Sequence, residues 1–228
     1  MRDEAPAPQS LAELVDRRAA FLTDYQDAAY AARYRELVAL IAAAEKQRGR
    51  GMTGLADAVA RGLFKLMAYK DEYEVARLYT DGAFLHRLNQ QFDGDFTLEF
   101  HLAPPLLASR DPQTGELQKR RFGPWVFRAF TLLARMRRLR GTRFDIFGRT
   151  AERRMERRLI AEYEATVRAL AASLTPDNHA LAVEIAGLPE QMRGYGHIKE
   201  KNVARTKERE ASLLAAFHRP ASAAAAAE

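Results

Sequence analysis

From Leu11 to Arg48 the chain runs for 38 residues without a glycine or a proline. Along that run Leu14, Phe21, Tyr25, Ala28, Ala32, Leu40 and Ile41 recur at the spacing of a single helix face. A segment this long, free of breakers and carrying that period, reads as an extended amphipathic helix whose apolar stripe must be covered by other helices. Its start is marked by Ser10-Leu11-Ala12-Glu13, the capping-box spacing in which a hydroxyl and a carboxylate satisfy the first orphan amides. One continuous helix is therefore predicted from about Ser10 up to the glycine cluster Gly49-Arg50-Gly51-Met52-Thr53-Gly54. Leu55, Val59, Leu63, Leu66 and Met67 then resume the period, predicting a second helix as far as about Tyr79. Two such helices joined by a short glycine turn should pack antiparallel.

Beyond Asp95 the pattern changes to alternation, with Phe96, Leu98 and Phe100 on one face and Thr97 and Glu99 on the other, which predicts a strand. Pro104-Pro105 should end it, and Asp111-Pro112-Gln113-Thr114-Gly115 has the composition of a turn. Helical period returns through Val126, Phe130 and Leu133, and again from Met155 through Leu159, Tyr163, Val167, Leu170 and Leu174. Thr175-Pro176 places a hydroxyl at an N-cap and a proline at the first helical position, so a further helix is expected to start there and to stop at Gly187 and Pro189. A last helix is predicted from about His197 to Phe217. The fold class expected is mainly α, with long antiparallel helices and a small β-hairpin-like insert near residues 95–121. The expected organisation is a flexible stretch at 1–9, a single mainly helical domain at 10–218 and a disordered alanine-rich tail at 219–228.

There is no cysteine, which removes disulfides, thiolate zinc sites and cysteine-ligated iron–sulfur clusters from this chain. No apolar run is long enough to span a bilayer and Met1 to Pro6 lacks the apolar core of a secretory signal, so a cytoplasmic location without a membrane partner is expected. The net charge of +6 is unevenly spread. Between Lys119 and Arg158 stand fourteen basic residues against Asp145, Glu152 and Glu156, a local +11 that leaves the remainder at −5. Arg135, Arg137, Arg138, Arg140, Arg153, Arg154, Arg157 and Arg158 are the core of this candidate anion or partner surface. The last four crowd the first turns of their helix as like-charged i, i+4 neighbours, where the macrodipole is already positive. Either carboxylates of the same chain cover them or an anionic partner does.

Other motifs have bland readings beside their chemical ones. Gly49 to Gly54 spells G-x-G-x-x-G, but a helix rather than a strand precedes it, so an inter-helix turn is the better account than a nucleotide site. Asp93-Gly94-Asp95 has the residues but not the order of a thiamine-site magnesium motif, and reads as a turn. The histidines at 86, 101, 179, 197 and 218 show no metal-ligand spacing; His101, at a strand end, is the one nearest to a cleft position. Arg193, Tyr195, His197 and Lys199, around two glycines before a helix, form a candidate anion turn whose alternative is an ordinary helix–helix connection.

The tyrosine-rich segment Leu63 to Tyr79, the run FHLAPPLL at 100–107, FGPW at 122–125, FGRTAERRMERRLIAEYE at 147–164 and RGYGHIKE at 193–200 occur in an order that resembles the C-terminal domain of unknown function of the indolepyruvate ferredoxin oxidoreductases. The resemblance implies an accessory, noncatalytic domain or subunit of a complex that oxidatively decarboxylates aryl-2-oxoacids to acyl-coenzyme A. It also implies that thiamine diphosphate, magnesium and [4Fe-4S] clusters sit in partner subunits, with none in this chain and no catalytic or metal residue of its own. The implied partners are those catalytic subunits, with ferredoxin or coenzyme A as further candidates for the basic face. The rival reading is a free-standing anion- or nucleic-acid-binding module. Nucleic acid is disfavoured because no recognised motif is present and Phe130 and Phe144 fall where a core would want them.

Overall fold

The computed structural model describes residues 10–92, 94, 97–102 and 120–219. These form nine α-helices and one small antiparallel sheet, the mainly α class that the periodicity predicts. The helices are α1 (Leu11–Tyr25), α2 (Ala28–Arg48), α3 (Leu55–Met67), α4 (Glu72–Thr80), α5 (Ala83–Gln91), α6 (Val126–Arg135), α7 (Ala151–Ala172), α8 (His179–Gly187) and α9 (Gly196–Phe217). Strand β1 (Phe100–Leu102) pairs with β2 (Arg120–Phe122) in the register Phe100 to Phe122, His101 to Arg121 and Leu102 to Arg120. The chain divides into two compact units, Met1–Tyr69 with Met155–Glu228, and Lys70–Arg154.

In the first unit, α1, α2, α3, α7, α8 and α9 enclose an apolar core that includes Leu22, Tyr34, Ile41, Leu63, Leu170 and Ile185. Burying each such side chain contributes about 1.5–3 kcal/mol before entropy is counted. Four tyrosines in this core carry a polar tip that needs a partner. Tyr25 Oη donates to the Tyr69 carbonyl at 2.8 Å, Tyr30 Oη to Met67 at 3.0 Å, Tyr34 Oη to Ala60 at 3.1 Å and Tyr163 Oη to Ala186 at 2.7 Å. The last contact dictates Gly62, because a Cβ there would lie 2.6 Å from Tyr163 Oη and 2.7 Å from the Ala186 carbonyl. The second unit has its own cluster of Ala76, Phe100, Val126, Phe130 and Ala134. Tyr79 stacks on Phe130 with centroids 5.3 Å apart and meets Phe100 edge-on at the same separation.

The capping box at Ser10 is present, with Glu13 N–H on Ser10 Oγ and Ser10 N–H on Glu13 Oε2. The first helix, however, is two. It breaks at Gln26–Asp27, where Asp27 becomes an N-cap and accepts the Tyr30 amide at 2.8 Å. That fold-back brings Tyr25 and Tyr30 to the carbonyls just after and at the end of α3. The second predicted helix likewise ends at Met67, and Asp71 restarts it as α4 by accepting the Glu74 amide at 2.9 Å. Apolar period continues through both breaks, so period alone does not reveal them. The strand begins at Phe100, not near Asp95, since residues 97–99 make no ladder. The helix expected from Thr175 begins at His179 instead. Thr175 and Asn178 exchange side chain and amide, at 2.8 and 3.3 Å, in a turn that comes before the helix. The predicted turn at 111–115, Pro104-Pro105, the carboxylates of Asp93 and Asp95, and the segments 1–9 and 220–228 lie outside the described residues.

Candidate functional site

The polar side chains of the second unit converge on two buried carboxylates. Asp71 and Arg140, each with a side chain 3% exposed, form a bidentate pair at 2.6 and 2.8 Å. Arg140 also lies over the Tyr73 ring, 5.6 Å from its centroid. Asp145 accepts the Gly141 amide at 2.7 Å, the Gly148 amide at 2.8 Å and the Tyr73 hydroxyl at 3.3 Å. Burial, reinforced by the Asp145 charge, pushes the Tyr73 phenol above its ordinary range. Phe147 packs edge-on against the same ring at 5.3 Å, and Thr150 Oγ1 accepts the Arg153 amide at 3.3 Å in the first turn of α7. The sequence Phe147-Gly148-Arg149-Thr150 and the tyrosine-rich segment are thus two halves of one loop-fixing network.

This geometry divides the predicted arginine surface. Arg140 does not belong to it, because it is buried in its pair with Asp71. Arg153 is withdrawn as well. It stands 3.4 Å from Glu72, and although burial alone lowers its pKa, the Glu72, Glu152 and Asp71 carboxylates outweigh that effect and raise it. Arg137 is half-buried, with Nη1 donating to the Ala134 carbonyl at 3.3 Å, and Arg157 is half-buried too. Arg158 is exposed and lies 3.5 Å from Glu162, a surface pair worth about 0–1 kcal/mol. Arg135, Arg138 and Arg154 are exposed, and among the described residues they have no carboxylate partner. Arg157 and Arg158 belong to the first unit and the other six to the second.

The proposed anion turn is only partly assembled. Lys199 is drawn to the buried Glu156 at 2.5 Å, and Arg193 Nε donates to the Glu190 carbonyl at 2.8 Å, so neither cation points freely at a ligand. Tyr195 and His197 are exposed beside Gly194 and Gly196, both at positive φ. The G-x-G-x-x-G segment is an inter-helix turn. The place where a phosphate would sit at the start of α3 is taken by the chain's own Glu45, which accepts the Leu55 and Ala56 amides at 2.7 and 3.0 Å. His179 meets the same carboxylate at 2.8 Å, and both side chains are buried. His101 is exposed on β1. Among the described residues, no group of three or more His, Asp or Glu side chains is placed to hold a metal ion, and no helix is long and apolar enough to cross a membrane.

The second unit is also conspicuous for what it leaves outside. Trp125 is 63% exposed, Leu132 61% and Phe144 74%, with Phe92 and Ile146 exposed as well. Phe144 therefore departs from the core position expected of it, whereas Phe130 takes one. Helix α6 has two contrasting faces. Val126, Phe130 and Ala134 are buried, while Trp125, Arg128, Leu132 and Arg135 are exposed.

Sequence reasoning missed Asp71, Tyr73, Asp145, Glu45 and His179 as a group, since their partners lie 69 to 134 residues away for the Asp71, Tyr73 and Glu45 side-chain pairs. Only Asp71 left a local trace, as a capping residue three before Glu74. Over residues 11–212 the sequence matches a family of unknown function (DUF6537), and the chain belongs to that family. No curated protein and no solved structure matches it.

Proposed function

We propose that this member of a family of unknown function is a noncatalytic accessory domain or subunit of a cytoplasmic 2-oxoacid:ferredoxin oxidoreductase complex of the indolepyruvate type, where it docks or assembles the catalytic polypeptides. The structural observation that carries this reading is that the second unit exposes both large apolar side chains, Trp125, Leu132, Phe144 and Ile146, and arginines, Arg128, Arg135, Arg138, Arg143 and Arg149. Large apolar side chains mixed with arginine are the composition of protein interfaces. The assignment to this class of enzyme rests on the ordered motifs of the sequence, several of whose residues build the network around Asp71 and Asp145. On this reading, thiamine diphosphate, magnesium and [4Fe-4S] clusters are held by the partners, and this chain contributes contact.

The test is copurification at native expression levels. The chain is expected to elute with subunits that contain bound thiamine diphosphate and iron, identified by mass spectrometry. Elution at its own 25.7 kDa from an extract in which those subunits are present would overturn the proposal. A second reading, a free-standing nucleic-acid-binding module, draws on Phe144 flanked by the exposed Arg143 and Arg149, an arrangement suited to base stacking beside phosphate contacts. Fluorescence anisotropy with a labelled single-stranded oligonucleotide at physiological salt separates the two.

A further inference from the structure

Helix α6 together with the 3-10 turn Met136–Leu139 that follows it contains four arginines, of which Arg128, Arg135 and Arg138 are exposed, and not one carboxylate. At 100° per residue, Trp125, Arg128, Leu132 and Arg135 fall within an arc of about 80° and span about 15 Å along the axis. All four are exposed, so indole, guanidinium, isobutyl and guanidinium alternate down a single stripe. Among the described residues no carboxylate pairs with Arg128 or Arg135. Of the three acidic residues between Lys119 and Arg158, Asp145 is buried on the Gly141 and Gly148 amides, Glu156 is buried with Lys199, and Glu152 is one of the carboxylates acting on Arg153. Elsewhere in the described part of the unit, Asp71, Glu72, Glu74 and Glu99 are engaged by Arg140, Arg153, Arg77 and Arg121, and Asp81 accepts the Ala83 amide.

We infer that the exposed face of α6 is a docking surface for an acidic amphipathic segment of a partner protein, with Trp125 and Leu132 as apolar anchors and Arg128 and Arg135 pairing with carboxylates. This deepens the docking role proposed above and rests on it. Three features select that occupant. One apolar anchor of the stripe is Leu132, an aliphatic side chain that stacks on no base, which favours protein over nucleic acid. Its cations are arginines, whose planar fork engages carboxylates in pairs and is enriched at protein interfaces. A second copy of this chain is a poor match, because the first unit carries twenty basic and nineteen acidic residues and offers no excess negative charge.

Trp125 is the only tryptophan of the chain, so its fluorescence reports this surface directly. The full chain is titrated at physiological salt with a synthetic helical peptide bearing a leucine stripe flanked by glutamates, and in parallel with the same peptide carrying lysine at each glutamate. Expected are a blue shift of the Trp125 emission with the acidic peptide alone and an affinity that falls about tenfold in Arg128→Glu/Arg135→Glu, consistent with two charge pairs of the usual size. The lysine peptide should then bind that double variant, and Leu132→Ala should weaken the acidic peptide with little change in salt dependence. The wild-type titrations stand even if a variant misfolds. No shift with the acidic peptide, an equal shift with a peptide of the same composition and no leucine stripe, or a stronger one with an oligo-dT strand or with phosphatidylglycerol vesicles would each overturn the inference. No oxidoreductase subunit enters this experiment. A Trp125 response in a chain that fails to copurify would sink the functional reading and keep this one, and copurification without a response would do the reverse.

Discussion

In the first unit thirty buried apolar residues form one cluster beside four exposed large ones, Leu40, Met52, Tyr195 and Ile198, whereas the described residues of the second centre on a cluster of five and leave six exposed, Trp125, Leu132, Phe144 and Ile146 among them. Both units also bury charge, Glu45, Glu156 and Glu210 in the first and Asp71, Glu74, Arg140 and Asp145 in the second, which carries sixteen basic and eleven acidic residues in all. Beside thirty buried apolar residues the first unit's polar pairs are a minor part of what holds it, whereas beside five the second unit depends more on directional polar contacts that fix its loops. Buried ion pairs are weak as net stabilisers, but severing one strands its partner's charge. The second unit is accordingly the more vulnerable to a single polar change.

The sharpest way to break this comparison is Arg140→Ala. It leaves the Asp71 carboxylate buried without its bidentate partner and should cost about 3–5 kcal/mol. Limited proteolysis is expected to cut first between residues 70 and 154, and a cut confined to the first unit would contradict the division of labour. Next in size, Leu63→Ala removes a fully buried side chain of the first unit and should cost about 2–5 kcal/mol in chemical denaturation. Here most of the helical circular dichroism should be lost together. Glu45→Gln tests one of the buried polar contacts inside the apolar unit. Losing the charge on the Leu55 and Ala56 amides and on His179 should cost about 1–3 kcal/mol by thermal melting.

A smaller effect is expected with pH. Tyr73 and Tyr163 are both raised above the ordinary tyrosine range, chiefly by burial. Their contribution is fully present below the unfolded value of about 10 and is lost as pH rises above it. Stability should therefore fall in alkali, and ultraviolet titration should show these two phenols ionising only as the chain unfolds. Last, Arg138→Glu alters an exposed arginine and should change stability by no more than about 0.5 kcal/mol. A larger loss would mean that the second unit uses its outer arginines internally too.

Periodicity, caps and glycines predicted most of the helical segments, because a helix is decided by residues three and four apart, but α5 (Ala83–Gln91) was not among them. The Ser10 box, the Gly49–Gly54 turn and the last helix at about 197–217 all follow from such local contacts. The breaks at Gln26 and after Met67 did not emerge, because an aspartate caps a helix or stays within one according to what the neighbouring turn can reach. The candidate surface was legible as a count of arginines and illegible as geometry. Arg140 and Arg138 are two residues apart and chemically identical, yet one is buried on Asp71 and the other faces water.

The amino-acid sequence by itself determined the helical class, the concentration of positive charge between Lys119 and Arg158, and the absence of thiolate chemistry, since each depends on composition or on neighbours along the chain. Only the tertiary structure decided which charges remain at the surface. Arg140 is removed from it by a carboxylate 69 residues earlier, and the phosphate-like position before α3 is filled by Glu45, itself held by a histidine 134 residues later. Burial and pairing are properties of distance in space, and the fold sets that distance independently of separation along the chain.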